Sequence, residues 1–253
     1  MKLLIGDTGL VGTTILETEK YDYTFNSKNL YTFNNIAKDG DELFLTCLPA
    51  TKWMVNKNLV GDIENIYLII NTISKCHFSK ITLISTIDVY NDSPLGVDET
   101  YSPNISKLSY GNNRYIFELM VREMVKTDDL KIFRLPALFN KHIKKNILFD
   151  LLNGNNIEQV NSNSSFQWYN LDNLSKDIEI YSSSYPNEKV YNLFTEPLNT
   201  KDIVSLFPQY IDKVGFSDSR IMYNYTTKFG MYISPKEVIL NEIKQFIDEF
   251  STK

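Results

Sequence analysis

The chain has 253 residues, 43% hydrophobic and 23% charged, which excludes a wholly disordered polypeptide and approaches the most that one core fills. Lys and Arg number 26 against 31 Asp and Glu, a formal charge of −5, so the surface as a whole does not attract polyphosphate and a general nucleic-acid binder is disfavoured. No run approaches the roughly 18 apolar residues of a membrane span, and the opening Met1-Lys2-Leu3-Leu4-Ile5 meets Gly6 and Asp7 too early for a signal-peptide core.

Two cysteines, Cys47 and Cys76, make no disulfide framework, and His77 and His142 show no zinc-ligand spacing. These features predict a cytoplasmic, globular, metal-independent protein with neither a membrane nor a nucleic-acid partner.

Short β-branched or aromatic runs predict strands over Lys2–Ile5, Tyr21–Asn26, Glu42–Cys47, Lys80–Thr86 and Leu130–Leu135. Helical patterns lie between them at Leu10–Glu17, Lys57–Cys76 and Ser109–Lys126. Such alternation implies parallel strands joined by crossovers, hence an α/β, doubly wound Rossmann-type sheet. Beyond Pro136, helices are predicted at Lys145–Asn153, Asp172–Ser183 and Pro235–Phe250, the last with Ser234 at its N-cap. Asn153–Ser165 reads as a loop. The expected organisation is a dinucleotide-binding domain over residues 1–140 and a smaller substrate lobe over 141–253. A strand at Lys189–Phe194 is expected to return to the main sheet.

The first strand runs directly into Gly6-Asp7-Thr8-Gly9-Leu10-Val11-Gly12. Glycines here permit a tight turn and close backbone approach to a pyrophosphate, and the helix N-terminus offers unpaired N–H groups to the anion. Gly6, Thr8, Gly9, Leu10, Val11 and Gly12 are therefore candidate cofactor-binding residues, although a purely structural turn would look the same. At the end of the second strand no Asp or Glu stands ready for a ribose 2′-hydroxyl. Ser27 and Lys28 could instead receive a 2′-phosphate, which favours NADP over NAD, or form a solvated loop.

Tyr110 and Arg114 share one helix face. A cation beside a phenol favours the phenolate, and a phenol so tuned can exchange a proton with a carbonyl or alcohol. Thr86 closes a parallel strand at its carboxyl edge, where open α/β sheets bind ligands, and its hydroxyl could polarise the same oxygen.

On these residues the sequence resembles the short-chain dehydrogenase/reductase superfamily, particularly the extended branch containing the NAD-dependent epimerase/dehydratases of nucleotide sugars. Ser85-Thr86-Ile87-Asp88-Val89-Tyr90 is similar to the family's Ser-Ser/Thr-x-x-Val-Tyr segment, and Tyr110 to its catalytic tyrosine. The resemblance implies catalytic roles for Thr86, Tyr110 and Arg114, with Tyr110 and Arg114 also touching the cofactor. Leu48 and Pro49 after the third strand, and Leu135 and Pro136 after Phe133-Arg134, are implied to lie by the cofactor. Lys145-Asn146-Ile147-Leu148 resembles the helix start that meets a nucleotide-sugar substrate, and Asp172 resembles an Asp at a later helix start.

Two departures stand out. The family's Tyr-x-x-x-Lys is Tyr110-x-x-x-Arg114, and arginine cannot relay protons by losing one. An arginine often found before the later strand is missing from Ser162–Gln167. Lys144 and Lys145 could replace it or be a solvated pair. Lys52 could meet a phosphate or carboxylate and Trp53 could stack on a base or sugar, though a loop tryptophan is more often a packing anchor. Asp88 could face the cleft or, the favoured alternative, serve the following turn. Gln167 could line the substrate side. Cys47 reads as core.

The expected function is an NADP- or NAD-dependent oxidoreductase or epimerase of a nucleotide sugar or similar anionic molecule, with Tyr110 as acid/base. Ile87-Asp88 lacks the family's Asp-Glu pair, so dehydration is less expected. The alternative is a dinucleotide-binding sensor or scaffold with little chemistry. By resemblance a homodimer forms through Lys57–Cys76 and Ser109–Lys126.

Overall fold

A computed structural model describes residues 1–251. The elements run β1 (Lys2–Ile5), α1 (Leu10–Thr18), β2 (Tyr23–Phe25), α2 (Phe33–Ile36), β3 (Glu42–Leu45), α3 (Lys52–Val55), α4 (Leu59–Ile73) and β4 (His77–Thr86). They continue with α5 (Tyr110–Met124), β5 (Lys126–Leu135), β6 (Ala137–Phe139), α6 (Ile147–Asn153), β7 (Ser165–Phe166) and β8 (Trp168–Asn170). The last are α7 (Leu174–Ser184), β9 (Val190–Asn192), β10 (Leu198–Asn199), α8 (Thr200–Val204) and α9 (Lys236–Ser251).

Six strands form one sheet in the order β2-β1-β3-β4-β5-β9. β1 pairs in parallel with both β2 and β3, and β3 with β4. Parallel neighbours require long crossovers, and helices on both faces make the strands nearly continuous apolar runs. Leu3-Leu4-Ile5 and Leu43-Phe44-Leu45 are such runs, all buried. This is the Rossmann-type parallel fold that the alternation predicts.

Side-chain alternation divides each run between the two faces. Leu3, Ile5, Leu43, Leu45, Ile81 and Leu83 join Ile66, Ile69, Ile70 and Ile73 of α4 and Phe117 and Val121 of α5 in one cluster. Truncating any of these isoleucines to Ala would cost about 2–5 kcal/mol. Elsewhere α1 and α7 meet, with Thr18 Oγ1 and Ser175 Oγ 2.6 Å apart.

Two compact units divide the chain. The first comprises Met1–Ser93, Tyr101–Arg134 and Leu174–Tyr191, and the second Pro94–Thr100, Leu135–Asn173 and Asn192–Lys253. The chain therefore passes between units several times rather than once near residue 140. Within the second unit β6 pairs with β8 in parallel and β7 with β10 antiparallel. Phe139 and Phe246 of α9 pack there with ring centroids 5.9 Å apart. Among the described residues no helix is long and apolar enough to cross a membrane.

Local chemistry moves several boundaries. α4 starts at Leu59 rather than Lys57, because the Asn58 side chain accepts from the Gly61 N–H and caps the helix there. Residues 87–90 form a 3₁₀ turn directly after β4, as favoured for Asp88, with the Thr86 hydroxyl accepting from Asp88 N–H at 3.2 Å. The 153–165 segment holds a 3₁₀ turn at Ile157–Gln159.

The β1–α1 connection is tightly built. Gly6 has φ +106, and a Cβ there would stand 2.4 Å from the Thr46 carbonyl oxygen; at Gly12 it would stand 2.0 Å from the Gly6 oxygen. Gly12→Ala is expected to destabilise the fold by about 1–3 kcal/mol through overpacking. Gly9→Ala, whose Cβ would approach nothing nearer than 3.6 Å, is expected to change stability by less than about 1 kcal/mol. Urea unfolding of both variants checks this, and equal midpoints would contradict it.

Candidate active site

The first turn of α5 is held from three sides. Ser109 Oγ caps it by accepting from Asn112 N–H at 3.2 Å, and Tyr110 N–H donates to Asn56 Oδ1 at 3.0 Å. Gly111 brings the helix against the 87–90 turn so closely that a Cβ would lie 1.8 Å from the Asp88 carbonyl oxygen. Tyr110 is thus placed against the turn that Thr86 caps, at the carboxyl end of β4. The phenol and the threonine hydroxyl lie on adjacent, tightly packed elements.

Arg114 occupies the next turn and is engaged by protein groups. Its Nη1 donates to Asp62 Oδ2 at 2.7 Å, while Nη2 donates to Asp62 Oδ1 at 3.1 Å and to the Pro49 carbonyl at 2.6 Å. Asn113 Nδ2 donates to the same carboxylate at 2.9 Å and to the Leu59 carbonyl at 3.1 Å. Both charged side chains are buried, at 6% and 3% exposure. The guanidinium lies over the Tyr110 ring, 4.6 Å from its centroid. It therefore binds α5 to α4 and to the segment after β3.

This arrangement corrects one expectation. Burial pushes the Tyr110 phenol up, to about 12; Arg114 pulls it down, while Asp88 and Asp62 push it up further. The cation does not produce a low-pKa phenol because the buried ring is desolvated, and the carboxylates of Asp88 and Asp62 oppose Arg114 further. Near neutrality Tyr110 is a proton donor, not a standing phenolate.

Asp62 was not among the residues singled out in the sequence. Its signal is nonetheless present: position 62 falls on the helical stripe of Ile66, Ile69, Ile70 and Ile73, where a carboxylate stands out among apolar residues.

Lys52 and Asp88 pair with each other, Nζ to Oδ1 at 2.7 Å. The structure thus joins two residues read separately as substrate contacts. Trp53 is exposed, with Lys57 Nζ 4.7 Å from its ring centroid, so it is not a core anchor. Leu48 packs against the main core and Pro49 supplies the carbonyl that Arg114 takes. Burial raises the Cys47 thiol to about 12, consistent with an unreactive core residue.

Arg134 is buried against Glu118, Nη2 to Oε2 at 2.6 Å and Nε to Oε1 at 3.0 Å, and donates to the Tyr90 hydroxyl. Ser85 Oγ also donates to Glu118. That cluster holds β4, α5 and β5 together.

The glycine turn fits a pyrophosphate. Gly9 is exposed, its backbone has room beside it, and no side chain caps the first turn of α1. Thr8 is exposed, Leu10 and Val11 are half-buried, and Gly12 is buried. Ser27 and Lys28 are exposed beyond β2. Around Arg114 the arrangement differs from what the resemblance implies, because the guanidinium is engaged by Asp62 and Pro49.

The remaining candidates belong to the second unit. Leu135 and Pro136 are buried. Lys144 and Lys145 are exposed ahead of α6. Asn146 caps α6 by accepting from Phe149 N–H at 2.9 Å and donates to the Leu138 carbonyl at 2.8 Å. Gln167 is buried, donating to the Thr195 and Tyr225 carbonyls and accepting from Tyr225 N–H. Its amide serves the fold, which corrects the substrate-facing reading. Asp172 accepts from Asn140 Nδ2 at 3.2 Å.

No family model matches the sequence, and no curated protein is similar to it in sequence. Solved structures do match over the whole chain. A UDP-galactose 4-epimerase superposes with TM-score 0.71 at 11% identity, covering 100% of this chain and 99% of the other. The UDP-glucose 4-epimerase of Thermus thermophilus, in complex with NAD, gives 0.68 at 12% identity, covering 99% of each chain. The dTDP-4-dehydrorhamnose reductase of Yersinia enterocolitica gives 0.68 at 12%, covering 98% and 99%. At such identity the likeness is one of fold, the parallel-sheet fold that these epimerases and the reductase share.

The ion pair makes a specific energetic prediction. Arg114→Met strands the Asp62 carboxylate in the interior and is expected to lower the unfolding free energy by about 3–5 kcal/mol. Adding Asp62→Leu removes the stranded charge, so the double variant should be more stable than Arg114→Met alone. Urea unfolding of the wild type, each single variant and the double measures this; a double variant that loses the sum of the two single effects would contradict a coupled pair.

Proposed function

We propose that the chain is a nicotinamide-dinucleotide-dependent oxidoreductase or epimerase whose substrate is a nucleotide sugar or a similar hydroxylated, anionic molecule. The observation that carries this reading is the seating of Tyr110 on the Thr86-capped turn, in the same unit as an open glycine turn. The fold neighbours support it: their names describe epimerases and a reductase of nucleotide sugars, one of them holding NAD.

In this reading Gly9 and the first turn of α1 receive the pyrophosphate, and Leu48 and Pro49 line the cofactor. When bound, the nicotinamide supplies or accepts hydride. The chain's own residues handle the oxygen and its proton. Tyr110, protonated near neutrality, donates to a substrate carbonyl oxygen as charge develops there, and the Thr86 hydroxyl donates to the same oxygen. Arg114 holds the phenol in place through its ring face and lends positive potential, but relays no proton. Lys52, paired with Asp88 at a partly exposed position, offers an anion a cation already oriented. Lys144 and Lys145 are the second-unit candidates for a diphosphate. A donor phenol suits keto-sugar reduction and the second half of an epimerisation.

A sensor or scaffold is the second reading. It is favoured by the engagement of Arg114 with Asp62 and Pro49, which leaves the family's lysine role unfilled.

A homodimer through α4 and α5 is part of the proposal, supported by Val60, Tyr67 and Leu68, which are exposed on α4. Wild-type chain is expected to sediment as a dimer and Leu68→Glu as a monomer; a wild-type monomer at micromolar concentration would contradict this.

Tyr110→Phe is expected to cut turnover of a keto-sugar nucleotide by about 10²–10⁴-fold, while nicotinamide fluorescence still reports cofactor binding. Undiminished turnover in that variant contradicts the assignment. Dinucleotide binding without oxidation across a panel of such substrates supports the sensor instead.

A further inference from the structure

The dinucleotide reading leaves open which cofactor is taken, and the end of β2 alone does not decide it. Tyr23-Thr24-Phe25 is followed by Asn26, Ser27 and Lys28, none of them acidic. A carboxylate nevertheless reaches this corner, from the glycine turn. Asp7 accepts from Thr24 Oγ1 at 2.8 Å through one oxygen and from Asn26 Nδ2 at 3.0 Å through the other.

The backbone fixes the same junction, with Gly6 N–H donating to the Phe25 carbonyl at 2.7 Å. The partners are themselves tied down. Asn26 N–H donates to Asn29 Oδ1 at 2.7 Å, Asn26 Oδ1 accepts from Lys28 N–H at 2.9 Å, and Asn29 Nδ2 donates to the Thr24 carbonyl at 3.1 Å. Among the described residues no cation pairs with Asp7.

A carboxylate has about four acceptor positions, and two hydrogen bonds leave capacity for more. In this fold a dinucleotide with its pyrophosphate on the first helix has its adenosine ribose at the end of the second strand. A fixed negative charge there suits a ribose diol, which donates, and opposes a phosphate dianion, which cannot. Lys28, the residue that argued for NADP, is a single exposed cation on a turn whose contacts are backbone and amide. The held carboxylate outweighs it.

We propose that Asp7 selects NAD against its 2′-phosphorylated counterpart, taking over from the glycine turn the acceptor role that no residue at the end of β2 fills. This inference rests on the dinucleotide reading, and the test separates the two.

NADH and NADPH are titrated into the intact chain and binding is followed by nicotinamide fluorescence. NADH is expected to bind at least about tenfold more tightly, since like-charge juxtaposition is strongly disfavoured. Asp7→Asn and Asp7→Ser should narrow that ratio severalfold, chiefly by improving NADPH, whereas Lys28→Ala should retain the NADH preference. Equal affinities in the wild type, a preference for NADPH, or a ratio unchanged in both Asp7 variants would overturn the role of Asp7. Failure of either dinucleotide to bind folded wild-type chain would instead remove the dinucleotide reading beneath it.

Discussion

The buried pair between Asp62 and Arg114 is the constraint on which the arrangement around Tyr110 depends. Two charges taken out of water need close geometry and further hydrogen bonds to offset their desolvation. Here the carboxylate accepts both guanidinium nitrogens and the Asn113 amide, and the second nitrogen also reaches the Pro49 carbonyl. One interaction thereby fixes α4, α5 and the segment after β3 in a single register. It also tempers the cation that lies beside the phenol. A guanidinium with its own counter-ion no longer acts as an isolated cation, and burial then dominates and keeps the phenol protonated.

A second buried pair starts from the same helix one turn further on, where Glu118 meets Arg134 of β5. Arg114 turns towards α4, whereas Glu118 turns towards the strands, where Ser85, Tyr90 and Arg134 gather around it. α5 therefore carries opposite buried charges one turn apart, each satisfied by a different neighbour. The consequence is positional stiffness where the chemistry is proposed to occur. A helix anchored by two ion pairs, a capping serine and a glycine in close contact has little freedom to let Tyr110 drift from the Thr86 turn.

The sheet was legible because its signal is local. Lys2–Ile5 and Glu42–Leu45 are apolar runs that only a strand buried on both faces requires, and the glycine turn follows the first of them directly. α5 was harder: its buried positions include Asn112, Asn113, Arg114 and Glu118, so hydrophobic periodicity understates its burial. The status of Arg114 could not be read from Tyr110-x-x-x-Arg114, because its partner stands on another helix far away in sequence. Asp7 escaped notice for a similar reason, since its meaning lies in contacts with β2. In the second unit, polar side chains that looked ligand-facing, Asn146 and Gln167, cap a helix and bridge backbone segments. Short pairings such as β7 with β10 leave too little pattern to read.

The Tyr110 phenol stays neutral because burial penalises the phenolate more than Arg114, itself paired with Asp62, favours it. Ultraviolet difference titration of tyrosinate, comparing wild type with Tyr110→Phe, measures this most directly. The account predicts no tyrosinate assignable to Tyr110 below the ordinary phenol pKa of 10, with ionisation approaching about pH 12. A tyrosinate step at or below about pH 8, present in the wild type and lost in Tyr110→Phe, would contradict it.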